Sequence, residues 1–259
     1  MQPKKIGLLF LHGYPLDRRM WDAQVAFFRN KYTIVRPDFA SFQWSTMAEL
    51  ADQIALDAKV PGHTSVEANL DTWPEKWIVC GLSMGGYVAL EFWKRHRDLV
   101  AGLVLSNTKA SVDDENAKAN RRSVIERAIA EGSECVTLPM IPKLLSALTI
   151  ETQSDVVAAV SQMMRDTSIA SIGRFQRAMI DRQDFTDAIT RFDLPALVIA
   201  GSEDGITPAG MMESMADRIP QSSFRVISNA GHVTPMENPR DWNDALAEFA
   251  QRLEQQENA

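Results

Sequence analysis

Short apolar runs divide the chain. Ile6 to Leu11 contains no polar side chain and ends in His12-Gly13. Thr33 to Arg36 is stopped by Pro37-Asp38, and Trp77 to Leu82 runs through Gly81 into Ser83. Ala101 to Leu105, Ala196 to Ala200 and Phe224 to Ile227 repeat the pattern. Runs of this kind predict strands buried on both faces, as in a parallel sheet. Helical spacing falls between them. Thr46 to Lys59 places Met47, Leu50, Ala51, Ile54 and Leu56 to Ala58 at helical intervals, and Pro61-Gly62 stops it. Met84 to His96, Gly210 to Arg218 and Pro239 to Leu253 follow strands directly, the last with Trp242, Leu246 and Phe249 on one stripe.

Strands alternating with helices predict an α/β fold, a mostly parallel sheet with helices on both faces. The alternation breaks once. Between Lys109 and Phe192 the periodicity is helical only, over Arg122 to Glu131, Asp155 to Arg165 and Ile169 to Ile180. This divides the chain into a core of residues 1–108 and 193–259 and a helical insertion, 109–192, that caps one end of the sheet. Ordinary crossover helices are the alternative. No repeat, low-complexity tract or linker interrupts the chain.

Composition narrows the function classes. The 259 residues, 45% hydrophobic and 24% charged, suffice for one large core. A formal net charge of -7 argues against nucleic acid or an anionic membrane as partner. The nearest thing to a basic block, Arg121-Arg122, reads as a solvated helix face. Lys4-Lys5 before Ile6 to Leu11 is too short for a secretory leader, and no stretch approaches the ~20 apolar residues of a membrane span. Cys80 and Cys135 make neither a disulfide framework nor a metal site. Both read as small buried hydrophobes, with a cytoplasmic location expected.

The strongest local signal is Gly81-Leu82-Ser83-Met84-Gly85-Gly86, between an apolar strand and a helix. A Ser on so tight a turn projects its hydroxyl above the sheet. Side chains two residues before and after it would collide where strand and helix pass, which glycine avoids. The Met84 N–H opens the helix and faces a developing oxyanion. Neither the dinucleotide glycine spacing nor a phosphate loop is present.

A Ser hydroxyl needs a base. His12 ends the first strand, His63 lies in a polar stretch, and His96 sits at a helix end. His232, in Asn229-Ala230-Gly231-His232 after the last strand, reaches the carboxyl edge of the sheet where Ser83 lies. Asp204 follows the fifth strand and precedes Thr207-Pro208; Glu203 is its rival, and Asn107 at the fourth strand end cannot carry charge. The order Ser83, Asp204, His232 then suits nucleophile, acid and base. In His12-Gly13-Tyr14-Pro15, the Tyr14 N–H is the second oxyanion donor, and His12 shapes the loop. Met163, Met164, Phe175 and Met179, with Leu144 and Leu145, either line an acyl pocket or form the core of the cap.

These residues resemble the α/β-hydrolase superfamily, in the neighbourhood of esterases, 3-oxoadipate enol-lactonases and cofactor-free haloperoxidases. The resemblance runs from His12-Gly13 to His232 and includes residues 81–86, 103–108, 201–208 and 230–232. It implies a helical cap inserted after the sixth family strand, no cofactor or metal, and a small-molecule substrate. It also implies catalysis by Ser83, Asp204 and His232, oxyanion donors at Tyr14 and Met84, and motif glycines Gly13, Gly81, Gly85 and Gly86. Two features depart from the family. Asp38 to Ser45 lacks the Arg and both Gly of Asp-x-Arg-Gly-x-Gly-x-Ser, and the chain opens at the family's third strand. The expected reaction is cleavage of a small carboxylic ester or lactone through an acyl-enzyme on Ser83. A perhydrolase or lyase using the same three residues, and a non-catalytic ligand-binding member, are the alternatives.

Overall fold

Strands with both faces apolar demand cover on both sides, and the structure supplies it. The computed structural model describes residues 6–60, 66–68 and 73–257. Lys4-Lys5, Pro61-Gly62 and His63 lie outside the described residues. The elements in order are β1 (Ile6–Leu11), α1 (Asp22–Phe28), β2 (Ile34–Val35), α2 (Met47–Lys59), β3 (Val66–Ala68), β4 (Lys76–Leu82), α3 (Met84–Arg95) and β5 (Val100–Ser106). Helices α4 (Glu115–Glu131), α5 (Glu134–Thr137), α6 (Ile141–Leu144), α7 (Ala147–Thr152), α8 (Ser154–Asp166) and α9 (Ile169–Ile180) follow. The chain closes with β6 (Ala196–Gly201), α10 (Ala209–Ala216), β7 (Ser222–Ile227), α11 (Thr234–Glu237) and α12 (Pro239–Glu257).

Among the described residues the sheet has seven strands in the order β3-β2-β1-β4-β5-β6-β7. All neighbours are parallel except β2 and β3. Side chains alternate between two cores, as the strand period requires. Leu9, Leu11, Trp77, Val79, Leu103 and Leu105 face one core, shared with α2, α3 and α9. Leu8, Phe10, Ile78, Cys80 and Val104 face the other, shared with α1, α8 and α12. The edge strand β7 is only half covered; Arg225 on it pairs with Glu248 of α12.

Each of the six sequence-predicted strands is present. Strand β3 was not anticipated: three residues carry no periodicity, and it pairs antiparallel with β2 at the sheet's edge. Between β5 and β6 the chain forms helices and no strand, as the pattern predicted. Helix α4 begins earlier than its apolar spacing indicated, because Asp114 caps it by accepting the Ala117 N–H at 2.7 Å. Among the described residues no helix is long and apolar enough to cross a membrane.

Strand order reverses between β1 and β4. In an open α/β sheet that reversal opens a crevice at the carboxyl ends of the two strands. His12-Gly13-Tyr14 leaves β1 there, and Ser83 leaves β4.

Candidate active site

The turn at Ser83 is forced by close packing. Ser83 has φ 54° and ψ -114°, a strained conformation for a residue with a side chain. A Cβ on Gly81 would lie 2.3 Å from the Gly85 carbonyl oxygen. One on Gly85 would lie 2.1 Å from the Leu11 carbonyl oxygen, so α3 starts in contact with the end of β1. Two hydrogen bonds hold the Ser83 backbone to β5 and its exit: its N–H donates to Ser106 at 3.0 Å, and its carbonyl accepts the Thr108 hydroxyl at 2.7 Å. Met84 is the first residue of α3, where an N–H has no acceptor within the helix.

The loop after β1 passes over this turn. A Cβ on Gly13 would sit 2.8 Å from Leu82 Cδ2 and 3.4 Å from Ser83 Cβ. That contact places Tyr14 beside Ser83. His12, buried, stacks on Phe39 with ring centroids 3.9 Å apart. Its Nε2 accepts the Phe39 N–H at 3.0 Å, so Nδ1 carries the proton and donates to the Gly13 carbonyl at 3.1 Å. Burial holds its pKa below the ordinary value against the pull of Asp38. A neutral imidazole thus ties the loops after β1 and β2 together.

Close approach of two loops joins Asp204 to His232. A Cβ on Gly201 would meet the Gly231 carbonyl oxygen at 1.9 Å, so the end of β6 touches the loop after β7. The Asp204 Oδ2 atom lies 2.8 Å from His232 Nδ1, which donates to it. Both side chains are buried, whereas Glu203 is exposed. Oδ1 accepts the N–H groups of Ile206 at 2.8 Å and Thr207 at 3.1 Å. Oδ2 also accepts the Thr207 hydroxyl at 2.6 Å and the Asn107 amide at 2.9 Å. Burial alone would raise this carboxyl's pKa. The His232 hydrogen bond and charge, with Asn107 and Thr207, hold it well below the usual range.

Ser83, His232 and Tyr14 line one cavity of about 380 Å³. Met179 and Leu144 share its wall. Met163 and Met164 do not: α8 turns them into the core beneath the sheet, with Val160 and Leu145. Phe175 packs between Trp44 and Tyr14 and borders a separate surface cleft. Helical spacing identifies the buried stripe of a helix but not which buried neighbour it meets. The altered 38–45 stretch is ordered by Asp38, whose carboxylate accepts the Ala40 N–H at 3.0 Å, and by Trp44, which donates to the Phe39 carbonyl at 2.8 Å. It supplies no residue to the cavity wall among the described residues. Cys80 is buried as expected, but Cys135 is half-buried and lines the cavity. Arg121 lines it as well, while only Arg122 faces solvent.

Two supporting residues escape sequence reasoning. Asn107, at φ 47°, spans Asp204 and the Gly231 carbonyl with its amide, and its own oxygen accepts the hydroxyls of Ser106 and Thr234. Buried Glu237 accepts the N–H groups of Gly231 at 2.9 Å and Val233 at 3.1 Å on one oxygen. Its other oxygen accepts the Ser146 N–H at 2.7 Å and the Thr149 hydroxyl at 2.9 Å. Glu237 therefore fixes the backbone on both sides of His232. The sequence signal is a carboxylate five residues after the His. Among the described residues no group of three or more His, Cys, Asp or Glu could hold a metal ion.

Comparison with known proteins gives a consistent picture. A family model described as alpha/beta hydrolase fold matches residues 8–239. A thermophilic esterase from Thermogutta terrifontis, solved with malate bound, has a TM-score of 0.88 at 35% identity, over 97% of this chain and 92% of that one. The enol-lactonase from Burkholderia xenovorans shares the fold, with a TM-score of 0.80 at 19% identity over 95% and 92% of the two chains. In sequence, 3-oxoadipate enol-lactonase 2 of Acinetobacter baylyi is 23% identical over 260 residues, 97% of this chain and 91% of the relative. The chain belongs to the alpha/beta hydrolase fold family.

Proposed function

We propose that this hydrolase cleaves a small carboxylic ester or lactone through an acyl-enzyme on Ser83. The observation that carries the reading is His232, joined to buried Asp204 at 2.8 Å, lining one cavity with a Ser held on a strained turn. The esterase and enol-lactonase relatives support the same reaction class.

Ser83 Oγ attacks the carbonyl carbon as its proton passes to His232 Nε2. Asp204 accepts the Nδ1–H, which keeps Nε2 free to act as the base and then stabilises the imidazolium. Negative charge collects on the carbonyl oxygen, where the Tyr14 and Met84 N–H groups receive it. Loss of one such donor typically costs about 10²–10³ in rate. The imidazolium then gives its proton to the leaving alkoxide. Water repeats the sequence on the acyl-enzyme, releasing the acid and Ser83. The 109–192 segment caps the site, and a cavity of about 380 Å³ suits a small molecule.

Fluorophosphonate labelling tests the reading, alongside turnover of p-nitrophenyl esters of rising chain length. The wild type labels at Ser83, and Ser83→Ala loses about 10³–10⁶ of the rate. Labelling elsewhere, or equal turnover by both proteins, refutes it.

A further inference from the structure

The chain as a whole is acidic, with 34 Asp and Glu against 27 Lys and Arg. The wall of the Ser83 cavity is the opposite: it carries Arg121, Arg127 and Lys143 and no Asp or Glu. Ala117, the adjacent Asn120 and Arg121, Val124 and Arg127 recur at intervals of three to four residues, so one stripe of α4 forms this wall.

The carboxylates nearby do not cancel the charge. Buried Asp113 serves three cations: Arg121 at 2.5 Å, Arg182 at 2.8 Å and Lys109 at 2.9 Å. Arg127 faces Glu131 at 3.5 Å, both half exposed, which screens the pair. Lys143 has no ion pair or hydrogen bond among the described residues. Arg121 itself is held in place. Its Nε is on Asp113, and its Nη1 donates to the Gln176 oxygen at 2.9 Å and approaches the Met179 sulfur at 3.2 Å. Its Nη2 has no partner among the described residues. Beside it the buried Tyr14 hydroxyl has no hydrogen-bond partner, with Gln176 and Arg121 as its polar neighbours. Tyr14 follows Gly13, whose backbone abuts Ser83. A single side chain therefore connects the Ser83 end of the cavity to its cationic wall.

We infer that the cavity takes an ester or lactone whose acyl part bears a free carboxylate, which the Arg121 guanidinium receives while Ser83 attacks the carbonyl at the other end. The inference rests on the Ser83 reading above. A fixed guanidinium in a partly desolvated wall suits a planar carboxylate; Lys143 adds attraction without fixed geometry, and Arg127 adds it from where the Cys135 carbonyl accepts its Nη2–H at 3.3 Å. A neutral acyl chain of the same length would leave this wall unpaired.

The test compares mono-p-nitrophenyl glutarate with neutral p-nitrophenyl pentanoate on wild type, Arg121→Met and Lys143→Met. Wild type is expected to favour the half-ester in kcat/KM by about 10- to 100-fold, as a charge-assisted hydrogen bond allows. Arg121→Met should lower that preference about tenfold or more, and Lys143→Met should lower it less, with added salt eroding the remainder. Calorimetric titration of free glutarate into Ser83→Ala reads the same subsite without turnover, and Arg121→Met in that background should abolish the binding. If Arg121→Met does not fold, the Lys143→Met and salt arms carry the comparison. Ser83-dependent hydrolysis with no preference for the half-ester, or a preference untouched by these variants and by salt, overturns this inference and leaves the Ser83 reading standing. Glutarate binding that depends on Arg121, with turnover that ignores Ser83→Ala, does the reverse. Absence of both the preference and the glutarate binding overturns the inference alone.

Discussion

Five donors converge on the Asp204 carboxylate, from Ile206, Thr207 twice, Asn107 and His232. With both oxygens engaged, the carboxylate cannot rotate away from His232. Asn107 matters because it reaches the oxygen that His232 also uses, and because its carbonyl is fixed by Ser106 and Thr234. Asn107→Ala should lower kcat on a p-nitrophenyl ester by about 10- to 100-fold, the worth of a hydrogen bond to a charged group, while KM changes far less. Steady-state kinetics beside a circular-dichroism spectrum would check this; an unchanged kcat removes Asn107 from the machinery. The gathering of Ser83, Asp204 and His232 at one edge of the sheet was legible in the sequence because each follows an apolar strand. Asn107 was dismissed there as an uncharged residue, since its value lies in donating to Asp204, 97 positions away. Arg121 read as a solvated face because a cavity on one side of a helix leaves no mark in composition.

Strands buried on both faces were equally legible, since six such runs supply most of the sheet. Helix α1 escaped because its seven residues mix buried Gln24 and Phe28 with exposed Phe27. Short helices α5, α6 and α7 lack a full amphipathic stripe. The junction of β1 with α3 is the least forgiving place in the architecture. There Gly85 lies against the carbonyls of Leu11 and His12, and backbone cannot move aside as a side chain can. Gly85→Ala should destabilise the protein by about 1–3 kcal/mol or more and displace the turn that carries Ser83. Urea unfolding gives the stability change; a midpoint within error of wild type would mean that β1 and α3 can separate at little cost.

Across the whole molecule, buried charge is concentrated around Asp113 and Arg182, which lies over the Tyr87 ring at 4.4 Å. Burial alone would raise the Asp113 pKa, but Arg182, Arg121 and Lys109 hold the carboxyl far below its ordinary value. The stabilisation is therefore present in full above the unfolded pKa of about 3.9, and it is lost as pH falls through the depressed folded value. Asp113→Asn should cost about 3–5 kcal/mol at neutral pH, since it strands buried cations. It should also flatten the decline in stability as pH falls below about 4. Urea midpoints measured across that range decide it, and parallel curves for the two proteins would assign the acid sensitivity elsewhere.

Glu237 has a consequence for how this fold diversifies. The helical segment between β5 and β6 joins the sheet at two chain junctions, where it leaves β5 and where it enters β6. Here a third seam exists, because Ser146 and Thr149 donate to Glu237, and Leu144 accepts the His232 N–H at 2.7 Å. A graft that respects only the two chain junctions would bury a carboxylate oxygen without donors beside His232. An exchange of this helical segment must therefore carry residues 144–149 and Glu237 together, as one heritable unit.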